Sequence, residues 1–550
     1  MNTKTGVANL WNRINTIDWK LLIFLLFFLD VKLWIKVAAI VLIFILRTDF
    51  KFGFRLKNSR LPLFYILVMG IAVFNWLISG MISQLNYDLV LLSGLFSWCL
   101  CILAIHQIKL AVEMNDPETI HRTILVFFML NAMVSLAVYA GIILETGHIN
   151  PYRYQGNFQK YFIGTGDYIK GITLDTSTTN AVLNAFAVVY FLLRGKNILM
   201  LLCMTVLLLT GSNITNLLLC CTLIFIFIFQ SNKDQKSMII VCLIMLVTFL
   251  VKISPQNNKY IKTLFTRLSK DIPKEKPVYL KTTSITEIPD SNLNDDEKKQ
   301  KIAQLYLDSI KRIKVVIKRS VDTAVHEPVI KFVEKPVIPK DSIHTPTFQH
   351  KKDTTVIEKT MLKFIGEQRT EVPIAATKKQ NLHVPGKILA LEQTIQYFIQ
   401  HPLRLLTGTG IGNFSSKLAF RTTAMKISGG YPEKYSYINE DFKTNHLDLY
   451  LFYFTSPDDL HSIANSPNSV YDQLLGEYGL AGLFSFAFFY IVFFVKRIKR
   501  GGYAIPLLLF MLGAFFVEYW FEQLSIVIFF ELLLLLNIKE TNLKQTNEHS

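Results

Sequence analysis

Polar side chains and glycines that could do chemistry are concentrated in one stretch of this sequence, Asn468–Leu483, which reads NSVYDQLLGEYGLAGL. The stretch ends a long hydrophilic segment, and the chain becomes apolar again at Leu480. Glu477 therefore lies at a boundary between water and lipid, where a carboxylate without a partner is costly. The side-chain amides, the carboxylate and the glycines at this boundary predict a site that acts on a substrate anchored in lipid.

Cationic side chains lie near the ends of the two longest hydrophilic segments, Glu145–Ser177 and Ser254–Tyr478. Arginine and lysine hold anionic phosphates through charge-assisted hydrogen bonds, and arginine adds a bidentate fork. Each cation alone is equally well explained as a solvated surface charge, but together they predict a diphosphate site. The candidates are Arg153, Lys170, Lys387 and Arg421, with Arg404 close by.

A glycine-dense turn at Gly408, Gly410 and Gly412 is the second candidate for anion binding. Its third glycine comes one residue too early for a dinucleotide fingerprint, and no strand precedes it. Alternating glycines can form a backbone nest for phosphate oxygens. The alternative is a plain tight turn that joins two helices.

Composition places the chain among polytopic membrane proteins, because 51% of its 550 residues are hydrophobic. The formal charge of +17 falls largely in short loops beside apolar runs, and we find no motif for binding nucleic acid. All six cysteines lie in apolar runs, which argues against disulfides and against a thiol nucleophile. Asp458, Asp459 and His461 lack the fixed spacing of metal ligands on a helix or strand, so we expect no metal.

The apolar runs, from Leu21–Leu29 to Leu524–Leu536, predict about twelve transmembrane helices. Charged residues interrupt the first apolar stretch near Asp30, and the alternation of basic and poorly basic loops favours two helices there over one long helix. Basic short loops stay in the cytoplasm. Both termini are therefore expected in the cytoplasm, and the two longest hydrophilic segments on the opposite side. The predicted fold class is an all-α polytopic membrane protein with a large periplasmic loop.

Three regions follow from this pattern. Residues 1–253 form an N-terminal membrane region with about nine spans, residues 254–479 form the periplasmic segment, and residues 480–550 contain three spans and a cytoplasmic tail. Within the segment, 271–384 is rich in Lys, Thr, Pro and Glu and is predicted to be a variable insert. Its helix Asp295–Ser320 either packs on the rest of the loop or lies on a lipid surface. The part that carries the site, 385–479, begins with a helix that stops at Pro402.

The order and spacing of these motifs resemble the bacterial O-antigen ligase and O-antigen (Wzy-type) polymerase superfamily, membrane glycosyltransferases of the C-type architecture. The family's ligase pattern is His, then Asn, Ser or Gln, nine residues, Gly, two residues, and Gly, Thr or Tyr. Asn468-Ser469, nine residues, Gly479, two residues and Gly482 match it except at the first position. The sequence HPLRLLTGTGIGNF after the helix is similar to a second family pattern, with Lys387 where the family has Arg. Lys170 lies in a stretch that resembles a third.

This resemblance implies transfer of a glycan from an undecaprenyl-diphosphate carrier to an acceptor sugar at the periplasmic face of the bacterial inner (cytoplasmic) membrane. Cations would stabilise the leaving diphosphate and a base would activate the acceptor, with inversion and without a cofactor. Asn468 replaces the family's histidine, and an amide cannot act as a base, so His461 and Glu477 are the alternatives for that role. The missing histidine favours polymerase over ligase.

The implied partners are the lipid-linked oligosaccharide, an acceptor glycan or lipid A core, membrane lipids and a chain-length regulator. A transporter or flippase of lipid-linked saccharides is one alternative function. It would be expected to show two similar halves and intramembrane charges, of which the sequence offers only Glu518, Glu522 and Glu531. A non-catalytic membrane assembly protein is the other alternative, and the absent histidine agrees with it.

Overall fold

The computed structural model describes residues 17–78, 84–154, 161, 163–254, 385–423, 430–447, 449–450, 453, 466–498 and 502–549. Every regular element in these ranges is helical. The chain divides into two compact units, Met1–Asp271 with His383–Ser550, and Ile272–Leu382. The second unit, the predicted helix Asp295–Ser320 and His461 lie outside the described residues.

In the first described region, consecutive helices follow one another with short connections. The first two are separate helices, as the charge pattern predicts, and Asp18 caps the first by accepting a hydrogen bond from the Leu21 N–H. The bounds are α1 Trp19–Phe28, α2 Leu33–Leu46, α3 Phe64–Ile78, α4 Leu85–Met114, α5 Pro117–Thr146, α6 Ser177–Leu193, α7 Asn197–Leu209, α8 Asn213–Phe229 and α9 Lys233–Thr248, which continues as a π-helix to Ile253.

The second described region alternates long helices with short ones that carry polar residues. The predicted helix that stops at Pro402 is confirmed, since its last helical residue is Gln400. The bounds are α10 Gly386–Gln400, α11 Lys417–Arg421, α12 Glu440–Asn445, α13 Val470–Phe486, α14 Ala504–Ala514, α15 Trp520–Gln523 and α16 Ser525–His549. A π-helical turn extends α13 to Val495.

Within the described residues, four helices are long and apolar enough to cross a membrane: Leu85–Met114, Pro117–Thr146, Lys233–Ile253 and Val470–Val495. Most of the other apolar helices have 10–17 residues, which is shorter than the ~20 residues of a perpendicular span. Each predicted apolar run coincides with a helix or overlaps one. These helices are consistent with a membrane-embedded protein, and the number of spans stays a prediction.

Two helices are buried on all sides and form the centre of the bundle. Residues 177–192 of α6 and residues 525–538 of α16 are buried without interruption. A helix that is apolar all round must be surrounded by other helices or by lipid. In this chain α7, α8, α14 and α16 pack against α6, and α4, α5, α6 and α14 pack against α16, so the buried residues of α16 are enclosed by protein.

Glu531 of α16 is fully buried within this centre. Its Oε1 accepts a hydrogen bond of 2.5 Å from the hydroxyl of Tyr65 on α3. The aromatic rings of Trp98 and Phe521 pack around Tyr65. This hydrogen bond therefore joins α3 to α16 in surroundings where neither side chain can form a hydrogen bond with water instead.

We expect Tyr65→Phe to lower the free energy of unfolding by about 1–3 kcal/mol, because it removes a hydroxyl donor from a buried carboxyl group. The double variant Tyr65→Phe with Glu531→Leu should recover most of this loss, because it removes both polar partners. Thermal unfolding of the detergent-purified protein measures both effects. The exposed Tyr435→Phe serves as the control. A double variant less stable than Tyr65→Phe alone would contradict the expectation.

Candidate functional site

The helix α13 is broken at Gly479, whose backbone angles are φ 65° and ψ −161°. A residue with a side chain rarely adopts this conformation, whereas glycine does so readily. In an unbroken helix the carbonyl groups of Gly476 and Glu477 would accept hydrogen bonds from the N–H groups four residues later. The break removes these partners, and the two carbonyls need other donors.

The glycine-dense turn supplies the missing donors. The N–H of Thr409 donates to the Gly476 carbonyl, and the N–H of Gly410 donates to the Glu477 carbonyl, each at 3.0 Å. On the other side of the break, the N–H of Ala481 donates to the carbonyl of Leu406 at 2.9 Å. The turn therefore replaces the hydrogen bonds that α13 loses at Gly479.

The three glycines of the turn are needed because it adopts left-handed conformations and lies close to α13. Gly408, Gly410 and Gly412 have φ values of 79°, 96° and 71°. A Cβ atom at Gly408 would lie 2.4–2.5 Å from the carbonyl group of Glu477. Because the N–H groups of residues 409 and 410 are used by α13, these contacts favour the tight turn over a nest for phosphate.

Glu477 lies beneath this turn and is fully buried. Its Oε1 accepts a hydrogen bond of 3.3 Å from the N–H of Phe414. The N–H of Gly412 and the hydroxyl of Ser416 also face the carboxyl group. The acidic group next to the glycine turn is thus the protein's own side chain. In this arrangement Glu477 stabilises the turn and has no exposed surface to offer an acceptor hydroxyl.

Lys387, at the start of α10, is buried next to Asn468. Its Nζ donates to the hydroxyl of Ser466 at 3.0 Å, to the carbonyl of Asn468 at 2.5 Å and to the carbonyl of Val517 at 2.6 Å. Burial lowers the pKa of Lys387 to about 7, and Glu518 and Asp472 oppose this shift. Three oxygen acceptors match the three protons of an ammonium group. Lys387 therefore positions the segment before α13, and direct contact with a diphosphate would require it to give up one of these bonds.

Five half-buried polar side chains lie close together, and we call them the charged cluster. Its members are Lys417, Arg421, Asn468, Glu518 and Glu522. The Asn468 side chain donates to Oε1 of Glu518 at 2.7 Å. The carboxyl group of Glu522 faces the N–H of Leu418 and interacts electrostatically with Arg421 and Lys417. The cluster therefore joins α11 to the connection between α14 and α16.

The pKa values in the charged cluster follow from burial and from its mixed charges. Burial raises the pKa of Glu522 to about 7, although Arg421 and Lys417 oppose the rise. Burial lowers the pKa of Lys417, and the neighbouring Arg421 lowers it further. Glu522 can therefore take up or release a proton near neutral pH, which is the property of a general acid or base.

One residue of the first hydrophilic segment interacts with this cluster, and it is not one of the predicted cations. Asp175, from the connection between α5 and α6, acts electrostatically on Lys417. Arg153 donates to the carbonyl of Lys252 at 2.5 Å, and Lys170 is exposed on the turn before α6. Among the described residues, we find no contact from Arg153 or Lys170 to the charged cluster. Their binding of diphosphate stays a prediction.

A buried pair that sequence reasoning missed lies behind Lys387. His446 Nε2 is 3.1 Å from Oδ2 of Asp472, and the hydroxyl of Thr394 donates to Oδ1 of Asp472 at 2.6 Å. His446 Nδ1 is 3.0 Å from Oε1 of Gln393. Both ring nitrogens of His446 therefore lie next to oxygen atoms, Nε2 next to Asp472 and Nδ1 next to Gln393. The pair ties α10 and the end of α12 to α13.

Helical spacing offered a signal for some of the missed residues. Lys417 and Arg421 are four residues apart. Residues at this spacing lie on one face of a helix. The partners Glu518 and Glu522 are also four residues apart, but nothing in the sequence places them opposite α11.

No group of three or more His, Cys, Asp or Glu side chains that could hold a metal ion occurs in the part of the chain that the structure describes. No family model, curated protein or solved structure matches this chain. The resemblance to O-antigen ligases and polymerases therefore rests on the sequence motifs. The function of the protein has to be argued from the geometry of the site.

We expect Gly408→Ala to destabilise the protein by about 3 kcal/mol or more, because its Cβ meets the backbone of α13. Gly195→Ala is the matched control. Gly195 has a similar φ of 67°, and no heavy atom lies within 4 Å of the place that its Cβ would take, so only the left-handed backbone costs about 1–2 kcal/mol. Thermal unfolding in detergent compares the two. Equal losses of stability would show that the contact between the turn and α13 contributes nothing.

Proposed function

We propose that this protein is a membrane glycosyltransferase that moves a glycan from an undecaprenyl-diphosphate carrier to a sugar hydroxyl of an acceptor. The observation that carries the proposal is the charged cluster. Two cations on one turn of α11, Lys417 and Arg421, lie beside a carboxyl group, Glu522, whose pKa is near neutral. A leaving diphosphate needs the cations, and an acceptor hydroxyl needs the base.

The proposed topology has twelve spans of C-type glycosyltransferase architecture, with both termini in the cytoplasm. Each predicted apolar run coincides with or overlaps a helix, which supports the number. The connections that meet at the charged cluster, α5–α6, α9–α13 and α14–α16, are those that the loop charges assign to the periplasm. The proposed location is the bacterial inner membrane, with the active side in the periplasm.

Lys417 and Arg421 are proposed to hold the diphosphate. Their spacing of four residues puts both on one face of α11, and both are half-buried. Guanidinium and ammonium groups form charge-assisted hydrogen bonds with phosphate oxygens. Lys387 contributes indirectly, because its hydrogen bond to the carbonyl group of Asn468 fixes the backbone of that member of the cluster.

Glu522 is proposed to be the base that the family's missing histidine would otherwise supply. Its carboxylate takes the proton of the acceptor hydroxyl, whose oxygen then bonds to the anomeric carbon. The bond between that carbon and the diphosphate breaks, and the diphosphate leaves with the electron pair. Attack from the side opposite the leaving group inverts the anomeric centre. His461, which lies outside the described residues, is the alternative base.

Deletion of the protein distinguishes the function classes through gel analysis of the surface glycan. Loss of the ladder with single repeats retained indicates a polymerase, which the absent histidine favours. Loss of attachment to the lipid core indicates a ligase. Loss of all glycan from the periplasmic side, with lipid-linked repeats accumulating in the cytoplasmic leaflet, indicates a flippase and contradicts the proposal. An unchanged surface glycan leaves a non-catalytic assembly role.

We expect Arg421→Ala and Lys417→Ala each to lower glycan transfer by about 10²-fold or more, because one of two charge-assisted contacts to the leaving group is lost. Arg404→Ala is the control, since Arg404 is an exposed arginine of the same segment that pairs with Asp441. The measurement is the length of the glycan ladder, normalised to the amount of protein in the membrane. Unchanged ladders in Arg421→Ala and Lys417→Ala would remove these residues from the site.

We expect the transfer rate to rise with pH by about tenfold per unit below pH 7 and to level off above it, because a base acts in its deprotonated form. The pKa of Glu522, which burial raises to about 7, sets the pH at which the rate levels off. This pH is well above the pKa of an ordinary carboxylate. Glu522→Gln should abolish transfer, whereas the exposed Glu440→Gln should not. Purified protein with a lipid-linked repeat unit in vesicles provides the assay. A wild-type profile that is flat from pH 5.5 to pH 8.5 would contradict the role of Glu522.

A further inference from the structure

The helix α10 carries apolar side chains on two faces, and only one of them is covered by protein. On the covered face, Tyr397 and Phe398 pack against Phe414. On the other face, Ile395 and Ile399 are 48% and 75% exposed. Ordinary surface helices place polar residues on their second face.

The exposed apolar face continues beyond the end of the helix. Leu403 is 94% exposed and Leu406 is 61% exposed. Single exposed apolar side chains are common on proteins, but a continuous row of large ones marks a contact with a partner or a membrane. We call this row the apolar stripe, and it consists of Ile388, Ile395, Ile399, Leu403 and Leu406.

A backbone hydrogen bond fixes the depth of the stripe relative to the long apolar helix α13. The carbonyl of Leu406 accepts from the N–H of Ala481, which lies inside the candidate span Val470–Val495. Phe484 and Phe488 follow Ala481 at spacings of three and four residues, so they share its face. Both are exposed, at 57% and 59%. The lower end of the apolar stripe is therefore level with the start of a surface on α13 that faces lipid.

Polar residues border the lower half of the stripe, whereas in its upper half the exposed Glu392 lies on the same face between Ile388 and Ile395. Gln396 and Gln400 lie beside it, and Arg404 at its lower end reaches out to Asp441. Long cationic side chains at such positions keep their charge in the polar layer while their stems contact apolar surface. This distribution is typical of a helix that lies in the plane of a membrane interface.

We propose that the apolar stripe is immersed in the lipid leaflet next to the charged cluster, so that α10 is an interfacial helix. The occupant of the stripe is the acyl region just below the headgroups, and the continuity with Phe484 and Phe488 identifies it. α10 also carries Lys387, whose three hydrogen bonds fix Asn468 and Val517. Contact with lipid thus sets the depth of the charged cluster, whatever reaction takes place there.

Fluorescence quenching by lipids tests this placement in the full-length protein. Cysteines introduced singly at Ile399 and Leu403 are labelled with bimane, and the protein is reconstituted in phosphatidylcholine vesicles that contain 5-doxyl or 12-doxyl lipid. The parent protein, labelled in parallel, gives the signal of the native cysteines. Gln400→Cys, on the neighbouring face of α10, and Thr444→Cys, on α12, are the controls.

We expect a severalfold loss of emission at positions 399 and 403 and little loss at positions 400 and 444. The 5-doxyl lipid should quench more strongly than the 12-doxyl lipid, because interfacial helices lie roughly 5–10 Å into the headgroup and acyl boundary. Red-shifted, unquenched emission at 399 and 403 would place the stripe in water. Blue-shifted emission that neither lipid quenches would mean that protein, a second copy or another part of the chain, covers it. Either result overturns the proposal.

Discussion

The break in α13 at Gly479 is the constraint on which the rest of the site depends. In apolar surroundings every backbone carbonyl must find a donor within the protein, and irregular backbone is tolerated only where other segments supply it. Here the donors come from the residues after α10, a segment far from α13 in sequence. The same exchange of hydrogen bonds, in which α13 accepts at Gly476 and Glu477 and donates at Ala481, fixes that segment in return.

The residues that follow the turn carry this constraint to the charged cluster. Asn413 donates to the hydroxyl of Tyr87 at 3.1 Å, which joins the turn to α4. Phe414 packs on the rings of Tyr397 and His446. Two residues later, the hydroxyl of Ser416 accepts from the N–H of Ala419 at 3.0 Å and caps α11. The direction of α11, and with it the position of its two cations, is therefore determined by a turn that exists because α13 is broken.

Sequence reasoning predicted what depends on local pattern. The apolar runs predicted the helices, Pro402 predicted the end of α10, and the glycines predicted a turn. It did not predict that Lys387 is buried, because spacing alone does not distinguish a lysine that binds a ligand from one that donates all its protons to protein oxygens. It also missed the interaction of Glu522 with the cations of α11 and the pair formed by His446 and Asp472. In both cases the partners lie on separate elements that only the three-dimensional fold brings together.

The balance of charge in the cluster explains why it suits an anionic substrate. Two cations and two carboxyl groups share a half-buried region in which each charge would be costly alone. Lys417 interacts electrostatically with Glu518 and Glu522, and Arg421 interacts electrostatically with Glu522. The side-chain amide of Asn468 donates to Glu518. Under the proposed function, a diphosphate that binds the cations would take over these interactions and leave Glu522 next to the reacting groups. The amide of Asn468 donates its hydrogen bond to Glu518 without adding a charge to the cluster. In this chain the side-chain amide of Asn468 and the titratable carboxyl group of Glu522 are therefore parts of one electrostatic arrangement.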